Sequence, residues 1–174
     1  MLYRAHVKVG LAGGVAVASL AFLTESVRSN EALAAMCLLC VVFSLVPDLD
    51  TASVAQRWFY RGMLVVLVYL MAQGHTEQAA FAGAVAMLPL VHRHRGWMHA
   101  WWAAPVVPLG IVALWEAYRR SLSWFSGFGS PTPVELVAEL LQDYGPFYLA
   151  MVTGYLLHLA VDRLPRMPRG ARLS

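Results

Sequence analysis

Six apolar stretches separated by short polar segments limit what this chain can fold into more than any other feature. Hydrophobic residues make up 59% of the 174 residues and charged residues only 13%, whereas a soluble domain has roughly 45–50% and about 25%. Too few charges remain to cover a soluble surface. The sequence therefore predicts a single all-α domain over residues 1–174, a polytopic membrane bundle of about six spans. The stretches cover roughly residues 7–23, 32–47, 59–73, 79–91, 100–117 and 145–161.

Several of these stretches are only about 14–17 residues long, and a full crossing needs roughly 20. Polar flanks or a locally thinner bilayer can complete a short span, and a re-entrant hairpin formed by one pair is the alternative. The first stretch also has features of a signal peptide, because Arg4 and Lys8 precede it. No small-residue cleavage site follows it, so we predict that it is retained as a span.

Lysine and arginine residues set the expected orientation of the spans. With the N-terminus in the cytoplasm, ten of the 13 basic residues lie inside and three, Arg28, Arg119 and Arg120, lie outside. Cytoplasmic loops are enriched in these residues, so both termini are predicted on the cytoplasmic side of the membrane. The basic residues are not clustered as in nucleic-acid-binding proteins. Those at the C-terminus are predicted to anchor it to the membrane: Arg163, Arg166, Arg169 and Arg172.

The longest connection, residues 118–144, falls on the outer side in this topology. Thr132 can cap a helix in which Pro133 takes the first position and Glu135 completes a capping box. Apolar and acidic residues alternate along this segment with helical spacing. The sequence therefore predicts a short amphipathic helix lying on the outer surface. Three aromatic residues before it are expected at headgroup level: Trp124, Phe125 and Phe128.

The only two cysteines, Cys37 and Cys40, have the C-x-x-C spacing of some metal and redox sites. They lie within a continuous apolar helix, where residues three apart share one face. We therefore interpret them as small residues that pack between helices.

Four short motifs with histidine or aspartate fall on the same predicted cytoplasmic side: His6, PDLD at 47–50, HRHRGWMH at 92–99 and HLAVD at 158–162. Placing an ionisable group beside a bilayer costs free energy, so such groups usually have a function. Their convergence predicts a metal site. The fourth motif spaces its histidine and aspartate four residues apart, so a helix places both on one face. In the second motif, an extended backbone would point both carboxylates the same way, and a divalent cation would relieve their repulsion.

The third motif supplies two further candidate ligands, His94 and His99. They would diverge on one uninterrupted helix, but Gly96 permits a turn that brings both to one point. Arg95 can hold an anionic oxygen with its planar guanidinium. His92 is a spare candidate ligand, and His75 is interpreted as a solvated loop histidine.

An N-terminal histidine followed in order by PDLD, HRGxxH and HLxxD resembles the YdjM-like family of inner-membrane-associated metal-dependent hydrolases, sometimes labelled LexA-binding. The resemblance covers about residues 1–170, and the family is distantly similar to zinc-dependent phospholipase C. It implies a helical fold, a site for two or more zinc-type ions, and phosphoester hydrolysis. The chain departs from the family pattern at Met98 and Ala100, where the family usually has threonine and serine, and at Thr51, where it often has histidine. The implied metal ligands are His6, Asp48, Asp50, His94, His99, His158 and Asp162.

The sequence thus favours a metal-dependent hydrolase at the cytoplasmic leaflet that acts on a phosphoester-containing lipid or similar amphiphile. Nitrogen and oxygen ligands suit zinc, with manganese or iron as alternatives. Asp48 or Asp50 would act as base or bridging ligand, and Arg95 would steady a phosphate. Membrane lipids, a lipid-like substrate and a second copy of the chain are the expected partners, and nucleic acid is not. Two alternatives stay open: a non-catalytic protein with a structural metal site, or a metal or proton transporter. A haem-binding cytochrome ranks last.

Overall fold

The computed structural model describes residues 2–50, 53–91, 97–123 and 133–164. Within these ranges the regular structure is helical throughout, and the number and order of the helices match the six predicted stretches. The helices are α1 (Leu2–Leu23), α2 (Asn30–Phe43), α3 (Val54–Ala72), α4 (Thr76–Val91), α5 (Ala103–Ser123) and α6 (Pro133–Arg163), with a short 3-10 helix (Val46–Asp50) between α2 and α3.

Helices α1, α2 and α6 pack against one another and form the tightest part of the bundle. Helix α5 packs against α6, while α3 pairs with α4 and touches the 3-10 helix. Four parts of the chain meet at one end of the bundle: the start of α1, the segment after α2, the segment before α5 and the end of α6. Side chains from these parts approach one another within 4 Å. We call this the site end.

Glycines explain how α1, α2 and α6 approach so closely. A Cβ atom on Gly154 of α6 would lie 2.1 Å from the carbonyl oxygen of Cys40, and one on Gly14 of α1 would lie 2.8 Å from the Cα atom of Cys37. Small residues at such crossings are typical of helix packing in membranes. Both cysteines are free thiols, and Cys40 is fully buried in this interface. Their predicted role as packing residues is confirmed.

Two helices in the described part of the chain are long and apolar enough to cross a membrane, Tyr3–Leu23 and Val137–Arg163. Two more apolar helices, Asn30–Phe43 and Ala103–Glu116, are shorter than a full span. The described residues thus form six α-helices, but length and composition support two of them as spans. The six-span topology and its orientation stay predictions.

The segment before the last predicted span does not form a separate surface helix. It begins at Pro133, as expected, but continues as one 31-residue helix to Arg163. Proline usually breaks a helix because it lacks an N–H, yet Pro146 lies inside this one. Prolines are nevertheless tolerated in membrane helices whose neighbours support them. Leu140 is buried in the core with α5, and the Tyr144 hydroxyl contacts Glu116 at 3.3 Å. The predicted cap Thr132 and the aromatic residues at 124–128 lie outside the described residues.

Candidate metal site

The PDLD motif forms a 3-10 helix, so the predicted extended backbone is wrong. Helix α2 ends at Phe43, ahead of Pro47 as expected, and the Asp48 amide then donates to the Leu45 carbonyl at 3.1 Å. Proline readily enters such a first turn because its φ angle is preset. Leu49 is buried, while Asp48 is only partly covered and directs its carboxylate toward the other motifs.

His158 and Asp162 lie on one face of α6, as their spacing predicts. The His158 Nε2 atom is 3.4 Å from Asp162 Oδ2 and 3.8 Å from Asp48 Oδ1. On its other side, His158 Nδ1 lies 2.8 Å from the carbonyl oxygen of Ser44. A carbonyl can only accept, so Nδ1 carries the proton and Nε2 presents its lone pair to the carboxylates. Histidine ligands of metals are commonly fixed in this way.

Two further histidines complete the cluster. His99, in the turn before α5, places Nε2 at 3.6 Å from Asp162 Oδ2 and 3.9 Å from Asp48 Oδ1. His6, in the second turn of α1, places Nε2 at 3.3 Å from the other oxygen of Asp162, Oδ1. The His6 ring stacks on that of His158 with centroids 4.1 Å apart. The two oxygens of Asp162 therefore face different histidines.

These separations fit a shared cation better than a set of hydrogen bonds. One donor atom each from Asp48, His99, His158 and Asp162 can be chosen so that all lie within 4.8 Å of one another. Ligands about 2.1 Å from a tetrahedral zinc ion are about 3.4 Å apart. His158 Nε2 is buried and has no hydrogen-bond partner among the described residues. Buried polar groups usually have partners, so a cation between these side chains would satisfy the ring nitrogen.

One side of the cluster is closed and the other is open. The side chains of His6 and His158 are 1% and 0% exposed, whereas those of Asp48, His99 and Asp162 are 25%, 26% and 30% exposed. The stacked histidines thus close one side of the cluster to water, and the carboxylates and His99 line the side that a small molecule can reach.

Sequence reasoning selected seven candidate ligands, and the structure brings five of them together: His6, Asp48, His99, His158 and Asp162. The backbone of Asp50 belongs to the 3-10 helix, but its side chain lies outside the described residues, as do His94 and Arg95. The spare candidate His92 also falls outside them. His75 is exposed in the turn between α3 and α4, as predicted.

Three residues that support the site were missed by the sequence reasoning: Ser44, Ser53 and Tyr155. Besides holding His158, Ser44 places its hydroxyl 3.0 Å from the carbonyl oxygen of His6. Ser53 donates to the carbonyl of Asp48 at 2.9 Å while it caps α3.

The fully buried Tyr155 donates to the carbonyl of Met98, next to His99, at 2.6 Å. Tyr155 could have been found in the sequence, since it lies three residues before His158 and hence on the same helix face. The role of Ser44 could not have been found in the sequence, because Ser44 holds His158 through its backbone carbonyl, a group that every residue carries.

The fold and the site together define an all-helical bundle with a candidate divalent-metal centre at one end and two helices long and apolar enough to cross a membrane. The family described as YdjM inner membrane protein matches residues 1–173, so the chain belongs to that inner membrane protein family. Comparison with curated proteins and with solved structures found no match.

Proposed function

We propose that this protein is a membrane-embedded metal-dependent hydrolase that cleaves phosphoester bonds of lipids or similar amphiphiles. The observation that carries the proposal is the convergence of two carboxylates and three imidazoles from four separate segments on one half-open site. Mixed nitrogen and oxygen ligands without thiolate suit zinc, manganese or iron. The partial exposure of Asp48, His99 and Asp162 gives a small molecule a way to reach the site.

Asp162 is suited to serve two ions at once. Its Oδ2 faces His99 and His158, and its Oδ1 faces His6. One cation would be held by Asp48, His99, His158 and Asp162, and a second by His6 and the other oxygen of Asp162. Asp50 and His94 are the candidates to complete the second set. When bound, divalent cations supply Lewis acidity and lower the pKa of a water molecule.

The chain's own residues would then position the substrate and move protons. Asp48 is partly exposed and lies beside the ring nitrogens of His99 and His158. Asp48 would accept a proton from an attacking water. The buried stack of His6 and His158 excludes water from behind the site. Arg95 is the candidate to hold a phosphate oxygen through a bidentate contact.

The position of the site favours an amphiphilic substrate. His6 lies in the second turn of the candidate span Tyr3–Leu23, and His158 and Asp162 lie in the last turns of the candidate span Val137–Arg163. A site at the ends of two such helices is at the level where phosphate groups of lipids meet their acyl chains. We place it at the cytoplasmic leaflet, where most of the basic residues are predicted.

A hydrolysis assay tests this proposal. The full chain is purified in detergent, stripped with a chelator, reloaded with zinc or manganese and given phospholipids or polyprenyl phosphates in mixed micelles. Cleavage should require metal and fall to background in Asp162→Asn and His158→Ala, whereas His75→Ala, in an exposed loop, should match the wild type. Equal cleavage in wild type and Asp162→Asn would rule the proposal out.

A structural metal site is the second candidate, favoured by the same buried histidines. His6 and His158 join α1 to α6, and His99 and Asp48 add two further segments. A cation that only fastens these segments would stabilise the bundle without turnover. Metal-dependent thermal stability together with no cleavage of any phosphoester amphiphile would select this candidate over the hydrolase.

A further inference from the structure

The outside of the bundle differs in charge between its two ends. At the site end, the exposed basic side chains are Arg4, Lys8, Arg57, Arg61 and Arg163, and we call these the cationic rim. The opposite end exposes the acidic side chains Glu25, Glu31, Glu77 and Glu139. Its exposed Arg28 is paired with Glu25. The site end is thus the cationic face of the described structure.

Helix α3 contributes the most compact part of this rim. Arg57 and Arg61 are one turn apart and therefore neighbours on the helix surface. The Arg61 guanidinium lies 5.5 Å from the centroid of the Trp58 ring, which is 61% exposed. Among the described residues, no carboxylate pairs with Arg57 or Arg61. Two cations and an indole thus form one solvent-accessible patch.

This patch is attached directly to the metal site. At the start of α3, Ser53 donates to the carbonyl of Asp48 at 2.9 Å, and the Gln56 side chain donates to that of Leu49 at 3.0 Å. Arg57 follows Gln56 in the sequence. Arg57 and Arg61 therefore lie about one and two helical turns from Ser53, which contacts the segment that carries Asp48.

Exposed tryptophans indicate what kind of partner fits the patch. Trp101, just before α5 at the same end, is 70% exposed, and Trp102 is 42% exposed. Tryptophan favours the headgroup region of a membrane, because its ring is apolar while its N–H group can donate a hydrogen bond. Arginine binds phosphate through a planar fork. Basic residues beside tryptophans on an apolar helical bundle complement an anionic lipid surface more closely than they do a nucleic acid.

We propose that Arg57 and Arg61, flanked by Trp58, bind the phosphate of an anionic lipid beside the metal site. The contact would orient the bundle on an anionic leaflet and concentrate anionic lipids next to Asp48. This lipid contact does not depend on the hydrolase proposal, since it requires neither metal nor turnover.

Lipid binding by the chelator-stripped full chain tests the inference. Native mass spectrometry in detergent would compare phosphatidylglycerol with phosphatidylcholine. The wild type should prefer phosphatidylglycerol. Arg57→Gln and Arg61→Gln should each weaken its binding about fivefold and the double variant about 20-fold, given the contribution of one basic residue near an anionic surface.

Two control variants separate this contact from general charge effects. Arg28→Gln, at the opposite end, should bind phosphatidylglycerol like the wild type. Arg57→Lys/Arg61→Lys, which keeps the charge but loses the planar fork, should bind phosphatidylglycerol more weakly than the wild type and more tightly than the double glutamine variant. Circular dichroism establishes that each variant is folded.

Three results would overturn the inference. They are equal binding of both lipids by the wild type, unchanged binding in both single glutamine variants, and displacement of phosphatidylglycerol by a lower concentration of a single-stranded oligonucleotide.

Discussion

The three-helix unit of α1, α2 and α6 differs from the hairpin of α3 and α4 in how closely its apolar helices pack. In the three-helix unit, backbones are so close that a Cβ on Gly154 would overlap the Cys40 carbonyl. In the hairpin, a Cβ on Gly62 would meet nothing within 4 Å. Helix α3 also leaves an apolar surface uncovered, with Leu64, Val65 and Tyr69 each more than 60% exposed.

The difference shows where rigidity is needed. The three-helix unit carries His6, His158 and Asp162, whose side chains must hold their relative positions within a fraction of an ångström to share a cation. The hairpin provides no ligand among the described residues. It supports the PDLD segment through Ser53 and Gln56 and leaves apolar side chains of α3 exposed.

The largest effect is expected from adding one methyl group to each region. Gly154→Ala should force α6 away from α2 and destabilise the protein by about 3 kcal/mol or more, because overpacking moves backbone as well as side chains. Gly62→Ala should be neutral or stabilise it by about 0.5–1 kcal/mol, because alanine is the better helix former. Thermal unfolding in detergent, followed by circular dichroism, measures both. Equal midpoints for the two variants would remove the contrast between the regions.

The second effect concerns the tyrosines that tie α6 to the segment containing His99 and α5. Tyr155→Phe removes the bond to the Met98 carbonyl, and Tyr148→Phe removes a similar bond, 3.1 Å long, to the Pro105 carbonyl. Each should cost about 1 kcal/mol of stability. Only Tyr155→Phe should weaken zinc binding, by about tenfold, because it frees the backbone next to a ligand.

Competition with a chromophoric chelator measures the zinc affinity of both tyrosine variants. A loss of affinity that is the same in Tyr148→Phe as in Tyr155→Phe would show that Tyr155 acts on stability alone.

The smallest effect is expected from two serine caps. Ser29 accepts from the Ala32 amide at 3.1 Å at the start of α2, and Ser53 accepts from the Gln56 amide at 3.0 Å at the start of α3. Replacing either with alanine should cost about 1 kcal/mol. Ser53→Ala should also lower metal affinity, since Ser53 holds the Asp48 carbonyl, while Ser29→Ala should not. Identical metal affinities would mean that the hairpin does not support the site.

Much of the fold could be predicted from the sequence because apolar periodicity marks helices well. The spacing of His158 and Asp162 also predicted their shared face, since a long apolar helix leaves little freedom. Predictions failed where local rules compete with packing. The backbone at Asp48 is 3-10 and not extended, and the helix that begins at Pro133 continues through the last predicted span instead of lying apart from it, because neighbouring segments stabilise both.

The packing of His6 on His158 could not be predicted from sequence patterns. It depends on the close approach of α1 and α6, which the alternation of apolar residues does not specify. The contact between His158 and the Ser44 carbonyl joins residues 114 positions apart. Such distant contacts arise from the tertiary packing of three helices and have no local signature.

The metal content of the purified protein tests the central claim most directly. The full chain, produced with zinc and manganese in the medium, would be measured by elemental analysis beside His158→Ala, Asp162→Asn and the loop control His75→Ala. We predict at least one equivalent of a transition metal in the wild type and in His75→Ala, and its loss in the two site variants. Metal-free wild type, or full occupancy in both site variants, would contradict a shared cation at this site.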